Sequence, residues 1–303
     1  MLNIMVPLSD RDAIGILCEA GADEFYCGFR DSCWHRRFGD FEEINRMSSF
    51  GSKANFDISE IPAIVNSVKQ YGKKIYITFN SAMYSLEEKE YLRTVLPRIG
   101  PIDGVILSDP ALIEIANQYD IPVTLSTMGG CYNSAVVRFF YKLGIRRIIL
   151  PRDITIKNME SIIKDFPDIA FEVFIMRNGC KYSDSQCMSY HARKHGSMCA
   201  CFDNLPSELI FSADCSNSFR REGYANHQLF TKAFHKKACG FCAVMRFESI
   251  GINSLKIVGR ADSLQEIIND VVSVKSILEG KKDKNSMPYY DNCLYGLNCY
   301  YKV

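Results

Sequence analysis

The chain has 303 residues, of which 47% are hydrophobic and 23% charged, and its formal net charge is +1. That balance describes a soluble, well-cored globule and excludes a global field that would draw in nucleic acid or an anionic membrane. No run approaches the length of a membrane span, and MLNIMVPLSDRDAIGIL lacks a basic segment followed by a long apolar block. Neither a transmembrane segment nor a secretory leader is expected, so the chain is read as cytoplasmic.

Short apolar or β-branched runs predict strands over 2–6, 24–27, 74–79, 104–107, 122–126, 147–150, 171–176 and 254–258. Helical patterns lie between them, at 10–20, 59–71, 86–96, 110–118, 133–143, 156–165, 240–250 and 263–278. Ser59 and Asn133 are expected N-caps, and Gly21, Gly72 and Gly144 fall where a helix would stop. Alternation of this kind implies parallel strands joined by right-handed crossovers. Eight strands point to a (β/α)8 TIM-type barrel, with an open doubly wound sheet as the alternative; no G-x-G-x-x-G follows the first strand, which weakens a dinucleotide-binding reading. Residues 1–280 are expected to form this barrel, 178–240 a cysteine-rich insertion between strands seven and eight, and 281–303 a C-terminal tail with no appended domain.

Two connections are too long for ordinary βα loops: one from Gly28 to about Asp57, the other carrying the cysteine insertion. Both leave the carboxyl end of a strand, which in a barrel is the catalytic face. Thirteen cysteines are present, and seven (Cys180, Cys187, Cys199, Cys201, Cys215, Cys239 and Cys242) fall between 180 and 242. In a reducing compartment, such clustering points to metal binding or chemistry rather than disulfides. Cys18, Cys27 and Cys131 sit in apolar stretches and are expected to be small buried side chains. Cys180 follows strand seven, and Cys239 opens the helix before strand eight, so the two are expected to be spatial neighbours. Thiolates gathered there suit Zn2+ or an iron–sulfur cluster. Only Cys239 and Cys242 form a C-x2-C pair; the wide remaining spacings favour a cluster over structural zinc, and a cysteine-rich lid without metal is the bland alternative.

Arg152, Arg260, Lys256 and Asn80 fall at or near carboxyl ends of strands, where they could bind a carboxylate or phosphate or else tie down loops. Glu172 alternates with apolar neighbours in strand seven, so it must either meet an arginine or serve the site. Arg152, Glu172 and Arg260 are therefore the catalytic candidates. His191 and His195 lie inside the cysteine loop, and Trp34 to Arg37 in the first long loop. No G-x-S-x-G, H-E-x-x-H or cysteine-protease signature is present; Cys131, after strand five near the mouth, could pair with a histidine in space.

AGADEFYCG at 20–28, KKIYITFN at 73–80, LSTMGGCYNSAVVRFF at 125–140 and RRIILPRDIT at 146–155 span much of the chain. With EVF-x5-C-x6-C-M-S at 172–189 and GINSLKIVGR at 251–260, the sequence resembles the U-32 (collagenase-like) peptidase family. The resemblance implies a barrel fold and, in several branches, a 4Fe-4S cluster. Cluster-bearing members include oxygen-independent hydroxylases of the ubiquinone pathway and RNA-hydroxylating enzymes that use prephenate; others carry a protease label. By motif, it implies Cys180, Cys187, Cys199 and Cys239 as ligands, with Cys201 and Cys242 as alternates. The family's K-I-E-G-R reads Lys256-Ile257-Val258-Gly259-Arg260 here, so its glutamate is lost. The expectation is an iron–sulfur modifying enzyme acting on a small molecule, a peptide or another macromolecule, with a protein partner or electron donor and no membrane; nucleic acid is not favoured. A collagenase-like peptidase with a structural metal such as zinc, or a non-catalytic cluster-bearing partner subunit, are the alternatives.

Overall fold

The computed structural model describes residues 2–39, 43–81, 83–180, 183–187, 238–280 and 299–301. Nine strands are present among them: β1 (Asn3–Pro7), β2 (Glu24–Arg30), β3 (Asn55–Asp57), β4 (Lys74–Phe79), β5 (Gly104–Leu107), β6 (Val123–Leu125), β7 (Arg147–Ile149), β8 (Ala170–Met176) and β9 (Ser254–Ile257). Eight form a closed parallel barrel in the order β1-β9-β8-β7-β6-β5-β4-β2, and β1 pairs β2 to close it, with Met5 opposite Glu24. All eight were expected from the sequence. The ninth, β3, lies within the first long connection and pairs Gly28–Arg30 of β2, beyond the stretch that pairs β4. Three residues in a loop carry too little period to announce a strand.

The helices are α1 (Ala13–Ala20), α2 (Ser32–Phe38), α3 (Ile61–Gln70), α4 (Leu86–Val95), α5 (Pro110–Gln118), α6 (Ser134–Lys142), α7 (Ile156–Asp165), α8 (Val244–Ile250) and α9 (Leu264–Leu278). Their starts are chemically marked. Asn133 accepts from the amides of Ala135 and Val136, while Ser85 with Glu88 and Ser263 with Glu266 form capping boxes that satisfy otherwise orphaned amides. Ser59 is not a cap. Asp57 takes that role for the 3-10 turn Ile58–Glu60 ahead of α3, accepting from the Ser59 amide while Glu60 reaches back to Asp57. α1 stops at Gly21, whose φ of +115° lets its amide turn back onto the last carbonyls. The helix expected over 240–250, before the last strand, is shorter than its pattern suggested: a 3-10 turn, Phe241–Ala243, precedes α8.

The outer faces of the strands and the inner faces of the helices make the apolar core, while the barrel's own interior is charged. Arg147, at the amino-terminal end of β7, donates from Nη1 to Glu24 Oε1 at 2.9 Å and to the Tyr76 hydroxyl at 2.6 Å, and its other nitrogens grip Glu24 and Glu172. Ser254 Oγ donates to Glu24 Oε2 at 3.2 Å. Burial by itself would raise the Glu24 carboxyl, but Arg147's hydrogen bond and charge outweigh it and hold the group below its ordinary value. Removing one partner of such a network leaves uncompensated buried charge. Arg147→Met should therefore destabilise the fold by roughly 3–5 kcal/mol, read as a lower midpoint in urea unfolding followed by circular dichroism.

Candidate functional site at the barrel mouth

The carboxyl ends of the strands carry the residues of interest. Arg152 lies three residues beyond β7 and rests on the Phe174 ring, its guanidinium 4.5 Å from the centroid. Its Nε donates to Asp184 Oδ2 at 2.9 Å, and Nη1 binds the Asn178 carbonyl. Arg152 thus clamps the segment that follows β8. That segment leaves the strand through Arg177 and Asn178, both left-handed at φ of +60° and +46°. Arg177 is itself held by Asp270 and Glu266 of α9, and Asn178 Nδ2 donates to Asp262 at 3.0 Å. A sharp turn is being enforced, because two consecutive non-glycine residues adopt this conformation only when the surroundings hold them there.

The turn delivers Cys180, half-buried, four residues beyond β8. Cys239 is brought back to the same strand end. It forms an antiparallel bridge with Met176, flanked by Arg177 N to Ala238 O and Gly240 N to Ile175 O, both 2.8 Å. Some sixty residues of intervening sequence are spanned by this one contact. Because a 3-10 turn intervenes, Cys239 lies five residues ahead of α8 rather than at its first turn, and α8's dipole does not act directly on the thiol. Cys187 is half-buried and receives Arg46 Nη2 at 3.2 Å on its sulfur; Arg46 also touches Met128 Sδ at 3.1 Å. Asn80 accepts from the Arg46 amide at 3.3 Å, so its role among the described contacts is to seat the first long connection. Cys299 bridges Cys239 in parallel, and the Tyr300 amide donates to the Cys239 carbonyl at 2.9 Å. Cys199, Cys201, Cys215, His191 and His195 lie outside the described residues; Cys242 is exposed. Among the described residues, no three His, Cys, Asp or Glu side chains gather closely enough to hold a metal ion.

Arg260 lies beyond β9 and is 5% exposed. Its Nη1 donates to Thr78 Oγ1 at 3.1 Å and to Asn55 Oδ1 at 3.4 Å, and its Nη2 to Asn45 Oδ1 at 3.0 Å. All three acceptors are neutral, and no carboxylate pairs with it among the described residues. Burial pushes its pKa down, tempered only by Tyr26 and Cys27. Room for the guanidinium exists because residue 28 is glycine: a Cβ there would stand 1.9 Å from Arg260 Nη1. Lys256 lies deeper, inside the barrel and 4% exposed, with Nζ 3.6 Å from Glu172 Oε2 and 3.8 Å from the Tyr26 ring centroid. Glu172 does meet an arginine, Arg147, through Oε1.

Two further expectations meet their surroundings here. Trp34 is fully buried among Phe38, Tyr84 and Tyr91, packing the first connection against the rim. Cys131 is 1% exposed, and burial pushes its thiol up to about 12, the opposite of an activated nucleophile. Sequence reasoning missed Asn45, Asn55 and Thr78 as Arg260's cradle, as well as Arg46 and Asp184. Asn55 and Asn45 both fall in the first long connection, but neutral amides there give no signal until the fold shows what they face.

The site and fold thus define a parallel (β/α)8 barrel whose mouth carries cysteines and buried arginines. The sequence pattern of Peptidase family U32 matches residues 10–291, and the chain belongs to that family. Among its relatives are the tRNA hydroxylation protein P1 of Bacillus subtilis (strain 168), 27% identical over 91% of this chain and 63% of that protein, and the tRNA hydroxylation protein P of Escherichia coli (strain K12), 30% identical over 41% and 28%. A collagenase of Porphyromonas gingivalis (strain ATCC BAA-308 / W83) is 26% identical over 54% of this chain and 37% of its own length. The chain spans less than two thirds of the length of these curated relatives. The solved structure of the U32 peptidase Mk0906 superposes with a TM-score of 0.51 at 13% identity, covering 86% of this chain and 93% of that one, and shares the barrel fold. No helix among the described residues is long and apolar enough to cross a membrane.

The burial pattern sets an order of thiol reactivity. Brief treatment of the native, metal-free protein with iodoacetamide at about pH 8 should label exposed Cys33 and Cys242 first, leaving Cys27 and Cys131, both pushed up to about 12, unmodified by peptide mass spectrometry. Early labelling of Cys131 would return it as a nucleophile candidate.

Proposed function

We propose that this chain is an iron–sulfur-dependent modifying enzyme that carries out hydroxylation or a related redox tailoring, with its cluster on Cys180, Cys187, Cys199 and Cys239. The observation that carries the reading is the bridge between Cys239 and Met176, which puts that cysteine at the same strand end that delivers Cys180. The donor chemistry fits: Cys180, Cys187 and Cys239 are half-buried thiols, and Arg46 directs a cationic N–H at the Cys187 sulfur. Their wide spacing along the sequence favours a multi-iron group over a single structural zinc ion. When bound, such a cluster supplies electron transfer, tuned by burial and by hydrogen bonds to its sulfurs. The chain's own residues supply the rest. Arg152 fixes the segment that carries Cys180, and Arg260, whose charge meets neutral oxygens among the described residues, would take a carboxylate or phosphate on its remaining N–H donors.

The names of the tRNA-hydroxylation relatives make RNA the competing substrate to a small anionic molecule. With a net charge of +1, the chain has no global attraction for RNA, so the small anion is preferred. A peptidase reading finds little support in the described thiols, since Cys131 is buried and Cys180 and Cys239 belong to the proposed centre.

Protein purified without oxygen should contain about four iron and four sulfide per chain and show a broad visible absorption that bleaches on reduction. Cys180→Ala and Cys199→Ser should lose the iron, while Cys201→Ser keeps it. One zinc per chain and no iron would overturn the reading. Arg260→Lys keeps the charge but loses the planar fork, so affinity for an anionic substrate should fall roughly tenfold. Unchanged affinity in that variant would remove Arg260 from the binding site.

A further inference from the structure

Among the described residues, the buried charges along the barrel axis do not balance. From the base upward, Arg147 meets Glu24 and Glu172, Lys256 meets Glu172, and Arg260 meets only neutral oxygens. Along this line of contacts, three basic side chains stand against two carboxylates. Other buried acids are engaged elsewhere: Asp184 with Arg152, Asp270 with Arg177, Asp31 with Tyr91, and Glu88 in its capping box. Glu43 acts on Tyr84, whose phenol it helps to push up.

An excess buried cation is costly, and a protein relieves it either by binding an anion or by releasing a proton from the one base that can lose it. Arginine does not deprotonate under these conditions; lysine does. Lys256 is placed to do so. Facing its Nζ are Met5 Sδ at 2.7 Å from β1, the Tyr26 ring from β2 and Glu172 from β8, with Arg147 of β7 and Glu24 of β2 acting at longer range. Glu172 already gives Oε1 to Arg147, and its buried Oε2 has no hydrogen bond. Lys256 therefore has a shared counter-ion, a sulfur and an aromatic face around its buried ammonium.

We propose that Lys256 is the proton-accepting group of the candidate site: an unprotonated amine in the ligand-free protein at mildly alkaline pH, which takes a proton from solvent when an anion settles on Arg260. Tyr26 joins the two positions, since its ring faces Lys256 and its phenol lies within the field of Arg260. Burial supports the same direction, pulling Lys256 down to about 8 despite Glu172. Substrate binding would then load a proton into the barrel beneath the mouth. The coupling to an anion rests on the reading of Arg260 above, whereas the state of Lys256 can be measured without it.

The test is nuclear magnetic resonance of the full chain labelled with 13C at lysine Cε, titrated from pH 6 to pH 11. One lysine should titrate near pH 8 and be missing from the Lys256→Met spectrum; Lys256→Arg provides the same assignment should the methionine variant not fold. Removing the unpaired cation in Arg260→Gln should move the midpoint upward. Malonate, used as the probe anion, should do the same in the unmodified protein and not in Arg260→Gln. If every lysine titrates in the ordinary range near 10.4, or if Arg260→Gln leaves the Lys256 midpoint where it was, the proposal is overturned. An upward shift in Arg260→Gln without any response to malonate would support the role of Lys256 and count against the anion reading of Arg260.

Discussion

A single guanidinium, that of Arg147, makes the charged interior of this barrel tenable. Two carboxylates from opposite parts of the sheet, Glu24 of β2 and Glu172 of β8, converge on it at the amino-terminal end of the strands. An apolar filling would have been simpler to stabilise, since a buried ion pair rarely outperforms hydrophobic packing of the same volume. Its presence has consequences higher up. Glu172, half committed to Arg147, can serve Lys256 only partly, and Lys256 in turn sits below Tyr26 and the mouth. The chemistry available at the top of the barrel is thus conditioned by the ion pairs at its base.

The mouth itself is assembled from three separate pieces of chain. The first long connection contributes Asn45, Arg46 and Asn55; the segment after β8 contributes Cys180, Asp184 and Cys187; the return before α8 contributes Cys239. Each is fastened by a specific contact rather than by general packing: Arg46 on Cys187, Arg152 on Asp184, Met176 against Cys239. Such fastening suits a site whose functional groups come from loops, because loop backbone must otherwise be held by water. It also explains how one family can carry relatives named for RNA hydroxylation and for proteolysis. The barrel is common property, and the loops at its carboxyl end decide the chemistry.

Much of this was legible in the sequence, for identifiable reasons. The eight barrel strands stand out because each is a short apolar run between helical patterns, and the Asn133 cap announces itself by residue type, whereas at Ser59 residue type misleads, since Asp57 supplies that cap. That Cys239 should return to the end of β8 followed from topology alone. What stayed hidden were relations between distant polar residues. Nothing near Glu172 foretells Arg147, and no spacing links Arg260 to Asn45, Asn55 and Thr78. β3 escaped notice because three residues cannot display an alternation, and the late start of α8 because Phe241–Ala243 is apolar enough to pass for helix. The ligand assignments within 188–237 rest on resemblance, as that stretch lies outside the described residues.

Gly28 bears on how members of the family sort into groups. Its bare Cα is what admits the Arg260 side chain against β2, and even a methyl group would overlap the guanidinium. The two positions are more than two hundred residues apart in the chain yet share one volume. The two positions are coupled: a side chain at 28 would force the Arg260 guanidinium out of the place it holds, and the seat it occupies relies on glycine at 28. In a collection of homologous sequences, the pair would behave as a single inherited character. It would separate those barrels that keep a buried cation beneath the mouth from those that have filled the space with something else.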